Sequence, residues 1–191
     1  GTPSTEITEC VAKYEEVYAE WAPNEKVALE AAFGACLSGK RSFCAMKHVG
    51  LNVAADPLFT ISYTGVHAGL VIGVADDAGM HRHYAQASKI PMLEPSDSAE
   101  AFAFAKLAYE LSEEFDTAVL LKMCTRVSHS QSVVETGERV LPAQKKYEKN
   151  PGKYIMMPAN AKKRHPEVEA RTKALTAWAE TTEINRIETG S

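Results

Sequence analysis

Nowhere in this sequence do two cysteines fall at a C-x-x-C spacing. The four present, Cys10, Cys36, Cys44 and Cys124, are scattered. Zinc or iron–sulfur ligation by this stretch alone is therefore not expected, and three of the four read as small buried hydrophobes. No apolar run reaches membrane length and no secretory signal pattern is present, so a reduced, cytoplasmic protein is the expectation. The six histidines lack metal-ligand spacing. No G-x-G-x-x-G follows an apolar run, which argues against a dinucleotide site. The net charge of −4 gives no sign of nucleic-acid binding.

What is present fits one α/β domain followed by an arm. The 191 residues are 45% apolar and 24% charged, ordinary for a globular chain with a real core. Residues 1–143 hold 11 Lys/Arg against 19 Asp/Glu, whereas residues 144–191 hold 10 against 6. An acidic domain followed by a basic arm is the natural reading, with the boundary placed at 1–141 and 142–191. Four short runs, Val17–Trp21, Ser42–Met46, Ile90–Leu93 and Ala118–Met123, read as strands. Gly69–Ala75, GLVIGVA, is the strongest strand, continuously apolar as in a sheet covered on both faces. Helices alternate with these, which predicts a mostly parallel sheet with helices on both faces. Ser4 or Thr5 is expected to cap a first helix, and Pro166 to open a last one running to Glu180. The abrupt loop-to-helix opening at Gly1–Glu6 suggests that a first strand is missing.

The helix from Asn24 is the best-marked element. Asn24 suits an N-cap, Glu25 sits in the first turn where unpaired N–H groups favour a carboxylate, and Gly39 suits the stop. Ala28, Ala31, Ala32, Gly34 and Ala35 leave little side chain on it. Within it, Gly34-Ala35-Cys36-Leu37-Ser38-Gly39-Lys40 matches G-x-x-x-x-G-K. Arg41 stands where a phosphate loop needs a hydroxyl, and the glycines end a helix where they should follow a strand, so that reading is set aside. Loops at 1–5, 22–25, 47–52 and 76–83 should meet at one sheet edge, the usual place for a ligand in an open α/β sheet. His48, His81 and His129 fall in loops after strands. Physical pattern alone yields that edge and no reaction.

Several stretches together resemble one family. GTPSTE (1–6), WAPNEKVALEAAFGA (21–35), MKHVGLNVAADPL (46–58), ADDAGMH (75–81), TRVSHS (125–130), PANAKKRHP and NRIE are similar to the alpha subunit of indolepyruvate:ferredoxin oxidoreductases. These belong to the thiamine-diphosphate-dependent 2-oxoacid:ferredoxin oxidoreductases, and the segment resembles their pyrimidine-binding domain plus linker. The resemblance implies that Glu25 hydrogen-bonds N1′ of the aminopyrimidine ring, favouring the tautomer that removes the thiazolium C2 proton. It places His48, Val49, Gly50 and Asn52 beside the cofactor, with Gly50 permitting close backbone approach, and Thr2 near the substrate carboxylate.

The same resemblance implies a complete enzyme that oxidatively decarboxylates aryl 2-oxoacids, such as indole-3-pyruvate, to acyl-CoA. Its partners would be a beta subunit, ferredoxin, CoA, the 2-oxoacid and the family's pyrophosphate-binding domain, in dimer-like contacts. The family's G-D-G motif for Mg2+ and its 4Fe–4S cysteines do not occur here, so this segment is expected to hold no metal. Between His81 and Arg82 the family has a further polar run; either that loop is deleted here, or it is a mobile segment over which the sequence closes. Two alternatives stay open: a relative acting on another 2-oxoacid, and a non-catalytic scaffold or dimerisation domain.

Overall fold

A computed structural model describes residues 2–77, 81–185, 187 and 189. Strands β1 (Ser42–Lys47), β2 (Leu70–Asp76), β3 (Met92–Leu93) and β4 (Val119–Cys124) form one sheet in the order β1-β2-β4-β3, with every pairing parallel. Helices α1 (Ser4–Val11), α2 (Glu25–Leu37), α3 (His48–Val53) and α4 (Ala55–Thr64) flank β1 in the chain. Helices α5 (Arg82–Ser88) and α6 (Ser98–Glu114) lie between the later strands, α7 (Thr125–His129) follows β4, and α8 (Pro151–Tyr154) and α9 (Pro158–Thr181) form the arm.

The central strand explains why its sequence is apolar at every position. Successive side chains of a strand point to opposite faces. In β2, Leu70, Ile72 and Val74 join Leu29, Leu51, Leu58 and Ile61 from α2, α3 and α4 in one cluster. Val71 points the other way, into a second cluster with Phe104 and Leu111 of α6 and Val119 and Leu121 of β4. With helices on both faces, every residue of β2 is buried. Burying a side chain such as Leu29 or Leu58, both fully enclosed, contributes about 1.5–3 kcal/mol each.

Helix α2 forms where the sequence marks it. The Asn24 side chain accepts from Val27 N at 3.0 Å, Glu25 lies in the first turn, and Gly39 takes φ 93° just past the end. The G-x-x-x-x-G-K stretch is thus a helix and its stop. Several local expectations differ. Val17–Trp21 forms no strand; Val17, Tyr18 and Trp21 are exposed, because β-forming residues without a neighbouring strand gain no ladder. Helix α1 has Pro3 at its N-cap position and no side-chain cap, with Ser4 buried. Cys36 and Cys44 are buried but Cys10 and Cys124 are exposed.

The arm packs on the domain through its basic residues. Helix α4 ends at Gly65, leaving the last carbonyls of the helix without partners inside it. Arg164 donates from Nε to Tyr63 O at 2.8 Å and from Nη2 to Thr64 O at 3.4 Å. Arg171 donates from Nη2 to Ser62 O at 2.5 Å and from Nη1 to Asp116 O at 2.8 Å. Arg164 and Lys153 also pair with the Asp116 carboxylate, at 3.1 and 2.8 Å. Cations thus sit at the negative end of a helix, where the dipole favours them. Helix α9 begins at Pro158, in the first turn where a missing N–H is harmless, and Pro166, expected to open it, lies inside.

Candidate functional site

The carboxyl ends of β1 and β2 and the start of α2 bring most of the singled-out residues together. Lys47 ends β1 and the chain turns at once into α3, so His48 stands in its first turn and Gly50 is buried beneath. A Cβ on Gly50 would lie 2.5 Å from Glu25 Cγ and 2.8 Å from both Cδ and Oε1. A glycine leaves the Glu25 side chain, the object pressed against it, room to lie where it does. Among the described residues Glu25 is half-buried and has no hydrogen-bond or ion-pair partner. Burial, with the Glu25 carboxylate nearby, pushes the Cys44 thiol of β1 up to about 12. Cys44 is therefore a protonated, inert core residue beside a carboxylate that remains accessible.

Around this core the other predicted residues divide. His48 is largely buried, and its Nδ1, though 3.7 Å from Asp77 Oδ2, has no hydrogen-bond partner. Asn52 is exposed and its Oδ1 accepts from the Tyr84 hydroxyl at 2.5 Å. Val49 is 53% exposed and contributes surface rather than packing. Thr2 is exposed in the turn before α1, and α1 packs against β1 and β2. No described hydrogen bond or ion pair joins Thr2 to Glu25 or His48. In the predicted edge loop at 76–83, residues 78–80 lie outside the described residues.

Five residues that sequence reasoning did not single out, Asp76, Arg82, Tyr84, Glu94 and Lys122, complete the edge. Asp76 and Lys122 are 2% and 3% exposed, and Lys122 Nζ lies 3.3 Å from Asp76 Oδ2 and 2.5 Å from Glu94 Oε1. Arg82 donates to Glu94 from Nε at 2.5 Å. Partial burial pushes the Glu94 carboxyl up, but Arg82 and Lys122 together outweigh it and hold the group below its ordinary range. Tyr84 stacks on His81, with ring centroids 5.9 Å apart and an interplanar angle of 4°. The legible signal was a lysine inside an apolar strand, VLLKMC, and an aspartate ending another, LVIGVAD; the register sets Lys122 beside Val74 and so diagonal to Asp76. An open hollow of about 610 Å³ lies beside this network, lined by Asp76, Arg82, Glu94, Lys122, Thr125 and Arg126 among others.

A half-buried carboxylate without a partner, held against a glycine in a short helix at a sheet edge, can share a proton with a ring nitrogen. Gly50 clears the space, and His48 Nδ1, which makes no hydrogen bond, marks a polar position with capacity to spare. These residues fit the role of gripping one end of a heterocyclic cofactor.

No family profile matches the chain. Indolepyruvate oxidoreductase subunit IorA of Methanothermobacter marburgensis is 45% identical over 199 aligned residues, covering 98% of this chain and 32% of that protein. The same subunit of Methanothermobacter thermautotrophicus is 44% identical, covering 100% and 33%, and that of Archaeoglobus fulgidus 38% identical, covering 100% and 33%. Among solved structures, 2-oxoglutarate:ferredoxin oxidoreductase from Magnetococcus marinus, determined with 2-oxoglutarate, coenzyme A and succinyl-CoA bound, superposes with a TM-score of 0.68. That match is 13% identical and covers 93% of this chain and 41% of the other.

The fold is therefore the α/β domain found in 2-oxoacid:ferredoxin oxidoreductases. The matches run through the whole chain, which spans about a third of the length of the curated relatives. Over its whole length the chain is similar to a segment of indolepyruvate oxidoreductase subunit IorA. No helix among the described residues is long and apolar enough to cross a membrane.

Proposed function

We propose that this chain is the part of an indolepyruvate oxidoreductase that holds the aminopyrimidine end of thiamine diphosphate. The single observation that carries the reading is the Glu25 carboxylate, unpartnered and pressed against Gly50 at the start of α2. Residues 1–141 form the pyrimidine-binding domain and 142–191 the linker and arm. Glu25 shares a proton with N1′ of the ring and so favours the basic form of its amino nitrogen. His48, Val49, Gly50 and Asn52 form the wall beside the ring, and Thr2 binds the substrate carboxylate. The cofactor, when bound, supplies the nucleophilic carbon and the electron sink for decarboxylation. The family name carried by the relatives supports an aryl 2-oxoacid such as indole-3-pyruvate as substrate.

The diphosphate with its Mg2+, and the 4Fe–4S clusters that pass electrons to ferredoxin, we assign to the rest of the complete enzyme, because their motifs do not occur in this sequence. CoA, the beta subunit and a second copy in dimer-like contact are the remaining partners, in the cytoplasm. The test is Glu25→Gln in the complete oxidoreductase, with exchange of the cofactor C2 proton for deuterium followed by quenched-flow NMR. Exchange slowed by about 100-fold or more is expected, the scale of lost acid–base catalysis. Undiminished exchange would overturn the role of Glu25 and favour a scaffold or dimerisation domain of this fold.

A further inference from the structure

The functional reading leaves one buried network without a task. Asp76 closes β2 and Lys122 lies near the end of the neighbouring β4. Both are almost completely enclosed, 3.3 Å apart, and Lys122 is bound in turn by Glu94. A fold that needed only a core would be served as well by apolar side chains, since removing two charges from water is costly even when they pair. Asp76 also faces His81: Nδ1 of the ring lies 3.2 Å from Asp76 Oδ1. The ring is 8% exposed, stacked on Tyr84 and edge-on to His48 with centroids 5.0 Å apart. Tyr84 is itself anchored to Asn52. The imidazole is thus fixed on three sides.

A carboxylate at Nδ1 selects a tautomer. Nδ1–H donates to Asp76, and Nε2 keeps the lone pair or, in the imidazolium, the mobile proton. Among the described residues nothing hydrogen-bonds Nε2. The ladder from His81 to His48 leads into α3, whose Gly50 lies on Glu25. The dyad and the Glu25 carboxylate therefore share one edge of the sheet.

We propose that Asp76 and His81 form a carboxylate–imidazole dyad that delivers a proton to the oxygen of the bound 2-oxoacid, with Asp76 as the positioning residue. This rests on the reading that the edge holds thiamine diphosphate. When the keto carbon is attacked, its oxygen gains negative charge. The O–H bond forms as the N–H bond at Nε2 of the imidazolium breaks, and the ring returns to neutral with Nδ1–H still on Asp76. One proton moves and no electron is exchanged. Lys122 Nζ, 3.3 Å from Asp76 Oδ2, sets a cation beside the carboxyl group at this depth.

Carbethoxylation of His81 by diethyl pyrocarbonate, followed by peptide mass mapping on the complete enzyme freed of cofactor, reads the tautomer directly. Asp76→Asn is expected to slow labelling at His81 at least about 10-fold, since an amide at Nδ1 favours the other tautomer. Thiamine diphosphate with Mg2+ and the 2-oxoacid should protect His81. His81→Gln is expected to lower kcat about 100-fold with KM for the 2-oxoacid nearly unchanged and C2–H exchange normal. Labelling unaffected by Asp76→Asn, no protection, or wild-type kcat in His81→Gln would each overturn the dyad. Should Asp76→Asn fail to fold, His81→Gln still decides. Failure of the cofactor reading shows separately, as C2–H exchange indifferent to Glu25→Gln.

Discussion

Replacing Gly50 with alanine separates what the site needs from what the fold needs. The added Cβ would fall 2.5 Å from Glu25 Cγ and 2.8 Å from Oε1, where carbon contacts ordinarily lie at about 3.5–4.0 Å. The Glu25 side chain must then retreat by roughly 1 Å. Gly50 lies in α3 without a left-handed φ, so the backbone accepts alanine and gains up to about 1 kcal/mol of helix propensity. The obstacle is the far end of a flexible side chain, and an off-rotamer glutamate costs about 0.5–1.5 kcal/mol. The two effects nearly cancel, so the urea midpoint should move little, with a net change within about 1 kcal/mol. A 1 Å displacement of a catalytic group, by contrast, is worth about 100-fold in rate. In the complete oxidoreductase, Gly50→Ala is expected to fold normally and to slow C2–H exchange about 100-fold. A stable variant with wild-type exchange would refute the idea that Glu25 acts from this position. Loss of folding would refute the claim that the contact is yielding.

The arm and the amino ends of the strands give further tests. Arg164→Ala removes the donors to Tyr63 O and Thr64 O and leaves Asp116 with one fewer cation. A loss of about 2–4 kcal/mol in urea unfolding is expected, and a loss under 0.5 kcal/mol would mean that the arm docks without this contact. Glu113 accepts from Arg41 at 3.1 and 2.8 Å and from Gly69 N at 3.1 Å, joining α6 to the approaches to β1 and β2. The Arg41 guanidinium holds its carboxyl below the ordinary range, with partial burial opposing and the Gly69 N–H assisting. A depressed carboxylate stabilises the folded state fully above its unfolded pKa, and that excess is lost as pH falls through the folded value. Glu113→Gln should cost about 1 kcal/mol at neutral pH, and the gap from wild type should shrink below about pH 4.3. A gap that is constant down to acid unfolding would contradict the assignment.

How far the sequence carried depended on whether each feature was local or long-range. The β2 strand was legible because burial on both faces leaves every position apolar. Helix α2 was legible because its cap, first-turn acid and stop are set by neighbouring residues. Val17–Trp21 was misread because strand propensity needs a partner strand, and none of the described strands pairs with it. The start of α9 was misplaced by eight residues, because Pro158 and Pro166 are equally good first-turn residues and only docking on α4 decides between them. In the site, Glu25 and Gly50 are 25 positions apart, and pattern showed them only as a dipole partner and a loop glycine. Their contact is a product of the fold. The pairing of Asp76 with Lys122 was hidden for the same reason, since it needs β2 and β4 side by side, with Lys122 one pair diagonal to Asp76, and His81 joins them from the loop after β2.

The central claim is that the Glu25 carboxylate grips the pyrimidine ring. A structure of the complete oxidoreductase with thiamine diphosphate and Mg2+ tests it most directly, through the separation between the Glu25 carboxylate and N1′ of the ring. The account predicts a direct hydrogen bond, with the ring packed beside Gly50 and His48. A different carboxylate at N1′, or a ring bound away from α2, would contradict it.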